Sequence, residues 1–230
     1  MPLPPIDPAV LSEMPLFEGL PARELERLAP LMRERVFPSG VSVLMAGQPG
    51  ETVYVLLGGS VKVHLVTPDG AEVILAVLGA GEAVGEMSLA DSLGRSASVT
   101  TLEETSLLWM DRRTFRSSVE GSSVLARNLV GILSRRVRLA NAHLLSMAAS
   151  TCPDVSPPRS CLSRGYGEQT PEGVRIPQRL TQADLAALAG ASRVRVNQAL
   201  GYPRKRNEIS VGEDGRIAVH DEEALARRAR

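Results

Sequence analysis

The sequence contains few cysteines and histidines and no long apolar run, and each scarcity excludes a class of protein. Of its 230 residues, 2 are cysteines and 3 are histidines. Cys152 and Cys161 alone build neither a disulfide framework nor a complete zinc or iron–sulfur site. No apolar run approaches the roughly 20 residues of a membrane-spanning helix, and the N-terminal residues lack the pattern of a secretory signal. We therefore expect a cytoplasmic, reduced protein with no metal site and no membrane partner.

The patterns of catalytic residues are missing as well. No Ser/His/Asp set, metal-ligand cluster or pair of carboxylates placed for acid–base chemistry can be recognised, and the histidines are His64, His143 and His220. These observations argue against an enzyme. The 26 basic residues balance the 26 acidic ones, so the charge of the whole chain does not indicate a polyanionic partner.

Between residues 35 and 110 the sequence alternates short β-prone runs with turns that contain glycine or proline. The best candidates for strands are residues 41–45, 52–57, 60–66, 73–78, 99–102 and 105–110. About eight short antiparallel strands at this spacing are typical of a small β-barrel or roll. Leucines near helical spacing over residues 15–33 predict a helical segment before it.

Residues 81–97 contain the most informative motif, Gly-Glu-Ala-Val-Gly-Glu-Met-Ser-Leu-Ala-Asp-Ser-Leu-Gly-Arg-Ser-Ala. Arg95 can pair with phosphate oxygens, with Ser96 beside it. Backbone N–H groups near Gly85 can approach a ligand closely because glycine has no Cβ atom, and Glu86 can accept a hydrogen bond from a ribose hydroxyl. The stretch, called the cassette below, resembles the phosphate-binding cassette of cyclic-nucleotide-binding domains. The alternative is a surface loop in which Glu86 and Arg95 form an ordinary exposed ion pair.

A long helix is predicted from about residue 122 to residue 148. One line along it is apolar in the 4-3-4-3 spacing of a heptad seam. The seam consists of Ala126, Val130, Leu133, Val137, Ala140, Leu144 and Met147. A second line, able to pack against the β-roll, consists of Leu125, Leu129, Ile132 and Leu139. We expect the seam to be a homodimer interface about a two-fold axis, with a wide core-facing stripe as the alternative.

Two short helices are expected near the C-terminus, after an irregular Pro/Ser-rich linker at residues 149–170. Thr181 caps the first helix in a capping-box-like pair with Asp184, and Gly190 ends it. Ser192 caps the second. Two helices joined by such a short glycine-containing turn form a helix-turn-helix.

The second of these helices carries the residue types of a DNA-reading surface, and a hairpin over residues 209–219 adds a wing. Residues 192–207 contain basic side chains and no acidic one. A charge run is usually a solvated face, but here it lies where a DNA reader needs it. Arg193 can pair with guanine and Asn197 or Gln198 with adenine, whereas Thr181, Ser192 and residues 204–206 suit phosphates. The DNA-binding candidates are Thr181, Gln182, Ser192, Arg193, Arg195, Asn197, Gln198, Arg204 and Lys205.

The order of cassette, heptad helix and winged helix-turn-helix resembles the cyclic AMP receptor protein/fumarate-nitrate regulator (CRP/FNR) family of bacterial transcription factors. The resemblance covers about residues 15–220. It implies that Arg95 and Ser96 hold a cyclic phosphate, that Glu86 binds the ribose 2′-hydroxyl and that Gly85 makes the backbone turn. The cassette residues expected to bind the ligand are Gly85, Glu86, Met87, Ser88, Arg95, Ser96 and Ala97. The cyclic-nucleotide branch is favoured over iron–sulfur and haem-sensing branches, because the chain has no N-terminal cysteines and a single histidine in its β-region.

The ligand-binding and DNA-reading positions depart from the family pattern. Where the long helix of the family offers Thr-Ser hydroxyls to adenine, this chain has alanine followed by Asn141, which becomes the expected partner of the base. The family's Arg-Glu-…-Arg reading set appears here as Arg193, Val194 and Gln198.

Two further departures concern the backbone. Pro203 should stop or kink the second helix near Tyr202. Residues 153–167 replace a family helix by a proline-rich segment, which implies either a loosened hinge or a local error in the sequence.

The sequence thus predicts an α+β protein in four parts. They are an antiparallel β-roll of the double-stranded β-helix type (1–120), a dimerisation helix (121–148), a hinge (149–170) and a winged helix-turn-helix (171–230). The expected function is a homodimeric transcription regulator controlled by cAMP, which binds a palindromic operator in double-stranded DNA and, as an activator, RNA polymerase. The alternative is a regulator of the same fold that is constitutive or senses another small molecule.

Overall fold

The structure, a computed structural model, describes residues 6–90, 93–149, 168–171, 173–212, 216–221 and 224–225. The chain forms two compact units, which are described separately. The first consists of residues 1–65 and 77–136, and the second of residues 66–76 and 137–230. The predicted hinge lies mostly outside the described residues.

The first unit begins with two short helices, α1 (Pro8–Ser12) and α2 (Ala22–Leu28), and a 3₁₀ turn at Ala29–Leu31. Strands follow in both units. In chain order they are β1 (Arg33–Phe37), β2 (Ser42–Leu44), β3 (Thr52–Gly58), β4 (Val61–Val66), β5 (Glu72–Leu78), β6 (Ala83–Val84), β7 (Ser98–Thr101) and β8 (Thr105–Asp111). They form two four-stranded sheets, ordered β1-β8-β3-β6 and β2-β7-β4-β5. The antiparallel roll predicted from the spacing of β-prone runs is confirmed.

The core of the first unit contains residues of the strands, of the N-terminal helices and of the two helices that follow the roll. Val53 and Val55 of β3 and Leu108 and Met110 of β8 are at most 1 % exposed. They pack in one cluster with Leu11 to Met32 of the N-terminal helices and with the long helix α5 (Ser123–Ala149). In chain order, the helix α4 (Arg112–Gly121) follows the roll and precedes the long helix, and it was not predicted. Asp111 caps α4 by accepting a hydrogen bond from the Thr114 N–H at 2.9 Å.

The two predicted lines of α5 differ in burial. Leu125, Leu129 and Ile132 of the second line are buried in the core, at 1 %, 7 % and 7 % exposure. Val130 and Val137 of the seam are 63 % and 59 % exposed. Ala126 and Leu133 are half-buried and Ala140 is exposed, whereas the side chains of Leu144 and Met147 lie outside the described part of α5. The predicted packing line is therefore confirmed for three of its residues. Of the seam, Val130, Val137 and Ala140 are exposed in the single chain, whereas Leu133 packs against the core.

Besides residues 66–76 and the end of α5, the described part of the second unit contains a four-stranded sheet and two further helices. These elements are β9 (Glu168–Thr170), β10 (Gly173–Arg175), α6 (Gln182–Ala189), α7 (Arg193–Lys205), β11 (Ile209–Val211) and β12 (Ile217–Val219). The strand order is β11-β12-β10-β9, all antiparallel. The predicted hairpin is confirmed. The predicted linker is wrong over residues 168–170, because β9 finds a pairing partner in β10, and residue 149 still belongs to α5.

The helix ends of the helix-turn-helix follow the prediction. The hydroxyl of Thr181 accepts from the Asp184 N–H at 3.1 Å, and the Asp184 carboxylate accepts from the Thr181 N–H at 3.0 Å. Gly190 ends α6 with φ 59° and ψ 31°, in the left-handed region that glycine adopts without a steric cost. The Ser192 hydroxyl caps α7 by accepting from the Arg195 N–H at 3.3 Å. No helix among the described residues is long and apolar enough to cross a bilayer.

Of the stop or kink predicted near Tyr202, the stop is wrong, since α7 continues to Lys205 with Pro203 inside it. A proline lacks one N–H donor, but in the last turn of a helix only that single bond is lost. The chain closes just beyond it, where the Arg206 N–H donates to the Tyr202 carbonyl at 3.2 Å and the Glu208 N–H to the Pro203 carbonyl at 2.9 Å. Pro203 is itself buried, so packing stabilises the continued helix.

Candidate functional site

The cassette lines an open cavity in the first unit. β6 leads into it and the short helix α3 (Met87–Ala90) follows. Its walls consist of Leu44, Val63, Val84, Gly85, Glu86, Met87, Ser88, Arg95, Ser96, Ala97, Val99 and Arg136. The structure therefore brings together all the predicted ligand-binding residues of the cassette.

Gly85 is required by the backbone at the turn between β6 and α3. Its φ is +85°, and a Cβ atom there would lie 2.5 Å from Nη1 of Arg95 and 3.0 Å from the carbonyl oxygen of Thr52. Only glycine combines this conformation with so close an approach. The missing side chain makes the space that the Arg95 guanidinium occupies.

Arg95 is buried and hydrogen-bonded to the protein on two sides. It is 6 % exposed. Nη1 donates to the Gly85 carbonyl at 2.8 Å and to the Ser88 hydroxyl at 2.9 Å. Nη2 donates to the carbonyl and hydroxyl of Thr52 at 2.7 and 3.1 Å. Burial lowers the pKa of the Arg95 guanidinium, while Tyr54, Glu86 and Glu51 act in the opposite direction.

Glu86 is 2 % exposed and forms an ion pair with Arg136 of α5. Nη1 of Arg136 donates to Oε1 of Glu86 at 2.6 Å, and Nη2 donates to the Ala83 carbonyl. The second carboxylate oxygen of Glu86, Oε2, is buried and has no hydrogen-bond partner among the described residues. A buried acceptor without a donor is costly, so a hydroxyl group of a ligand in the cavity would stabilise it.

Two features near Glu86 adjust the electrostatics of the cavity. Burial raises the pKa of Glu82, against the Gly79 N–H and the charges of Arg136 and Arg135, which lower it. Ser96 is exposed, and among the described residues its hydroxyl donates a long bond to Sδ of Met87 at 3.6 Å. A sulfur acceptor at this distance is weak, so the Ser96 hydroxyl is readily available to an anionic ligand.

These contacts exclude one of the two interpretations of the cassette. The ordinary surface ion pair of Glu86 and Arg95 is wrong, because both side chains are buried and Glu86 pairs with Arg136 instead. Polar groups of both charges, an unsatisfied carboxylate oxygen and an accessible hydroxyl instead surround one cavity. The chemistry of this set suits a ligand with a phosphate and a hydroxyl group.

Sequence reasoning missed Arg136 and Thr52. Arg136 follows Ile132 by four residues and precedes Leu139 by three, so it occupies the one polar place in the buried line of α5. An arginine within an otherwise apolar, inward-facing line was the available signal, because a buried cation needs an anion nearby. Thr52 had no such signal, since it contacts Arg95 mainly through its backbone carbonyl.

In the second unit, α7 presents a basic face. Arg193, Arg195, Gln198, Arg204 and Lys205 are all exposed, while Val196 and Leu200 pack in the core on the other side. The guanidinium of Arg206 lies over the ring of Tyr202, 5.4 Å from its centroid. This is the arrangement that the sequence predicted for a DNA-reading helix.

The remaining candidates have structural contacts of their own. The Asn197 amide donates to Oε1 of Gln182 at 3.0 Å, which links α7 to α6. Thr181 and Ser192 use their hydroxyls as helix caps, so their phosphate contacts stay predictions. Asn141 is exposed on α5 and belongs to the second unit, and its expected contact with a base stays a prediction as well.

Two family models match the chain. Residues 34–121 match the cyclic nucleotide-binding domain and residues 137–228 the Crp-like helix-turn-helix domain. The CRP-like cAMP-activated global transcriptional regulator of Mycobacterium tuberculosis is 32% identical over 222 residues, which cover 96% of this chain and 99% of that protein. This agreement extends across both units.

Solved structures share the fold. FixK2 from Bradyrhizobium japonicum superimposes with a TM-score of 0.74 at 16% identity, over 85% of this chain and 96% of that one. The c-di-GMP responsive global regulator CLP of Xanthomonas campestris does so with a TM-score of 0.67 at 23% identity, over 87% and 100%. At these identities the likeness concerns the architecture alone.

Proposed function

This chain belongs to the CRP/FNR family of DNA-binding transcription regulators, and from that premise we propose a homodimer whose affinity for DNA is controlled by cAMP. It carries a cyclic nucleotide-binding domain and a helix-turn-helix domain, and its family consists of transcription regulators. A regulator of this kind acts on the chromosome in the bacterial cytoplasm. As an activator it would also contact RNA polymerase, and no residue is assigned to that contact.

The single observation that carries the effector proposal is the unsatisfied Oε2 of Glu86 in the cassette cavity. A ribose 2′-hydroxyl is a donor that fits this acceptor. The Ser96 hydroxyl and the guanidinium of Arg95 lie on the same cavity and suit the cyclic phosphate. When bound, the nucleotide supplies one negative charge and one hydroxyl donor, and the chain supplies their partners.

The exposed seam of α5 supports the dimer. Val130 and Val137, one heptad apart, leave most of their apolar surface in water. A second copy of α5 would cover both. Paired chains also present two α7 helices, which enter successive major grooves about 34 Å apart on a palindromic operator. An effector controls the affinity only if it binds the DNA-competent arrangement of the dimer more tightly than the other.

One observation favours a second candidate, a regulator of the same fold that does not respond to cAMP. Arg95 already donates hydrogen bonds to Gly85, Ser88 and Thr52. A phosphate that binds Arg95 must therefore replace some of these acceptors or accept from the remaining Nε–H of Arg95. The relative that is c-di-GMP responsive shows that cyclic dinucleotides belong in any test of the effector.

The test measures fluorescence anisotropy of a palindromic duplex with the full chain, alone and with cAMP, cGMP or c-di-GMP. We expect cAMP to tighten binding by about 5- to 150-fold, the usual size of an allosteric coupling. Ser96→Ala should raise the cAMP concentration needed for half of this effect. The control Ser117→Ala removes an exposed hydroxyl from α4 and should behave like the wild type.

The same titration separates the candidates. DNA binding that is unchanged by every nucleotide supports the constitutive alternative, and a response to c-di-GMP alone rejects cAMP as the effector. Affinity that does not fall with rising salt rejects DNA as the partner, because binding to phosphates releases counterions.

Sedimentation of Val130→Glu tests the dimer, since a buried carboxylate in the seam should yield monomers. A wild-type protein that sediments as a monomer rejects the dimer.

A further inference from the structure

The outward side of α7 has an apolar residue at its centre. Val194 is 66 % exposed. Successive residues of a helix are turned by about 100°, so Val194 points away from Val196 and Leu200, which pack in the core. Valine is a modest helix former because its χ1 angle is restricted. Its exposed methyl groups contribute little to the fold and are available to a partner that approaches this face.

The neighbours of Val194 indicate which kind of partner suits this face of α7. Arg193 and Arg195 stand about 100° to either side of it around the helix, and both are exposed. Gln198 follows one turn later on the same side. An apolar group between cations is complementary to the major groove, where phosphates line both edges and the 5-methyl group of thymine lies among the polar base edges.

One hydrogen bond indicates which amide beside Val194 is available to pair with a base. Asn197 is linked to Gln182 by a hydrogen bond of 3.0 Å, so its amide is oriented toward α6. Gln198 is therefore the amide that shares a side of α7 with Val194. A glutamine amide pairs with the N6 and N7 edge of adenine.

Val194 differs from the residue of the family's reading set at this position, and the difference changes which base the position can recognise. The resemblance places a glutamate at this position, and a carboxylate accepts a hydrogen bond from the amino group of cytosine. A valine cannot accept a hydrogen bond, so the base opposite it must be recognised through an apolar contact. Thymine is the DNA base that offers a methyl group in the major groove.

We infer that Val194 is a specificity-determining residue that contacts the methyl group of one thymine in each half-site, with Gln198 at a neighbouring adenine. The inference rests on the proposed DNA-binding function and goes beyond it by naming a base and an atom. The stiff valine side chain loses little rotamer freedom on binding. Its contact with one methyl group excludes water from both surfaces.

The experiment removes single methyl groups from the DNA. Full-length wild-type protein selects its operator from a random duplex library in the presence of the effector. Each thymine of that operator is then replaced by deoxyuridine, which lacks only the 5-methyl group, and affinities are measured by anisotropy competition. At one thymine per half-site we expect a loss of about fourfold, which corresponds to one buried methyl group.

Protein variants assign that methyl group to a residue. Val194→Ala should lose the sensitivity to deoxyuridine at this thymine and keep the wild-type response elsewhere, and Val194→Thr, which keeps one methyl group, should retain part of it. Val194→Glu should select an operator with cytosine at the same position. The matched control Val36→Ala trims a valine of β1 that is 54 % exposed and should retain the full wild-type sensitivity.

The inference is overturned if no thymine responds to loss of its methyl group, or if Val194→Ala responds as strongly as the wild type. Either result leaves the proposed function intact, because operator-specific binding is measured in the same assay. A protein that selects no operator and binds all duplexes equally contradicts the proposed function itself.

Discussion

The cassette cavity and the outward face of α7 are both rich in charged residues, but they use them in opposite ways. In the cavity, Glu86 and Arg95 are 2 % and 6 % exposed, and each is tied to other residues. On α7, Arg193 and Arg195 are exposed and lie on a helix held by the core behind it. In the first region the residues proposed to bind the ligand also hold the fold together, whereas in the second the residues proposed to bind DNA do not.

The difference determines what a substitution can reveal. Removing one partner of a buried ion pair leaves the other charge unsatisfied and destabilises the whole unit. Removing an exposed side chain changes the free energy of unfolding by about 0.5 kcal/mol or less. A cavity variant that loses its ligand response is therefore ambiguous evidence for binding unless its stability is measured as well. A loss of DNA affinity in an α7 variant is direct evidence for a DNA contact.

The largest loss of stability is expected from Arg136→Met. It removes the cation that pairs with the carboxylate of Glu86, and the free energy of unfolding should fall by about 3 kcal/mol at neutral pH. Urea denaturation followed by circular dichroism measures it. The control is the double variant with Glu86→Gln, which removes the stranded charge and should recover part of the loss. Equal losses in the single and double variants would mean that the pair is not the cause.

Gly85→Ala should cost about 1–3 kcal/mol, the usual range for a strained backbone conformation. The new Cβ atom meets Nη1 of Arg95 while the backbone keeps φ +85°. The matched control Gly58→Ala lies in β3, where a Cβ atom has nothing within 4 Å. Thermal unfolding should separate the two variants, and a Gly85→Ala protein as stable as the control would contradict the strained turn.

Gly201→Ala should stabilise the protein by about 0.5–1 kcal/mol, because alanine is the better helix former. Gly201 lies within α7, and a Cβ atom there has nothing within 4 Å. The measurement is chemical denaturation of the variant beside the wild type. A loss of stability would show that α7 is packed more closely at this position than the structure describes.

The smallest effect on stability is expected from Arg193→Ala, at about 0.5 kcal/mol or less. Its operator affinity should nevertheless fall by about 1–3 kcal/mol, with relaxed preference at one guanine. Anisotropy and denaturation of the same preparation measure both quantities. Arg116→Ala, an exposed arginine of α4, is the control that should change neither. Parallel losses of affinity and stability in Arg193→Ala would remove the contrast between the two regions.

The sequence predicted what is local in both regions. The caps of α6 and α7 join residues three positions apart, so spacing along the chain reveals them. The cassette residues were identified for the same reason, because they lie close together in the sequence. The two-line pattern of α5 was also visible, because helical periodicity fixes which residues share a face.

What the sequence did not predict depends on contacts between distant segments. Thr52 is 43 residues from Arg95, and Arg136 is 50 residues from Glu86. No local pattern reports such pairs, and so the prediction left an exposed Glu86–Arg95 pair open as the alternative to a ligand site. The stop at Pro203 failed for a related reason, since a rule about isolated helices omitted the packing that buries this proline.

The register of α5 determines which insertions and deletions this helix can tolerate. Arg136 lies on the buried line and Val130 and Val137 on the exposed one. Inserting or deleting one residue between 125 and 130 would turn everything that follows by about 100°. Both the partner of Glu86 and the apolar seam would then point in new directions. A change by a whole heptad nearly restores these directions but still shifts Arg136 by about 10 Å along the helix axis, so the helix tolerates substitutions far better than insertions or deletions.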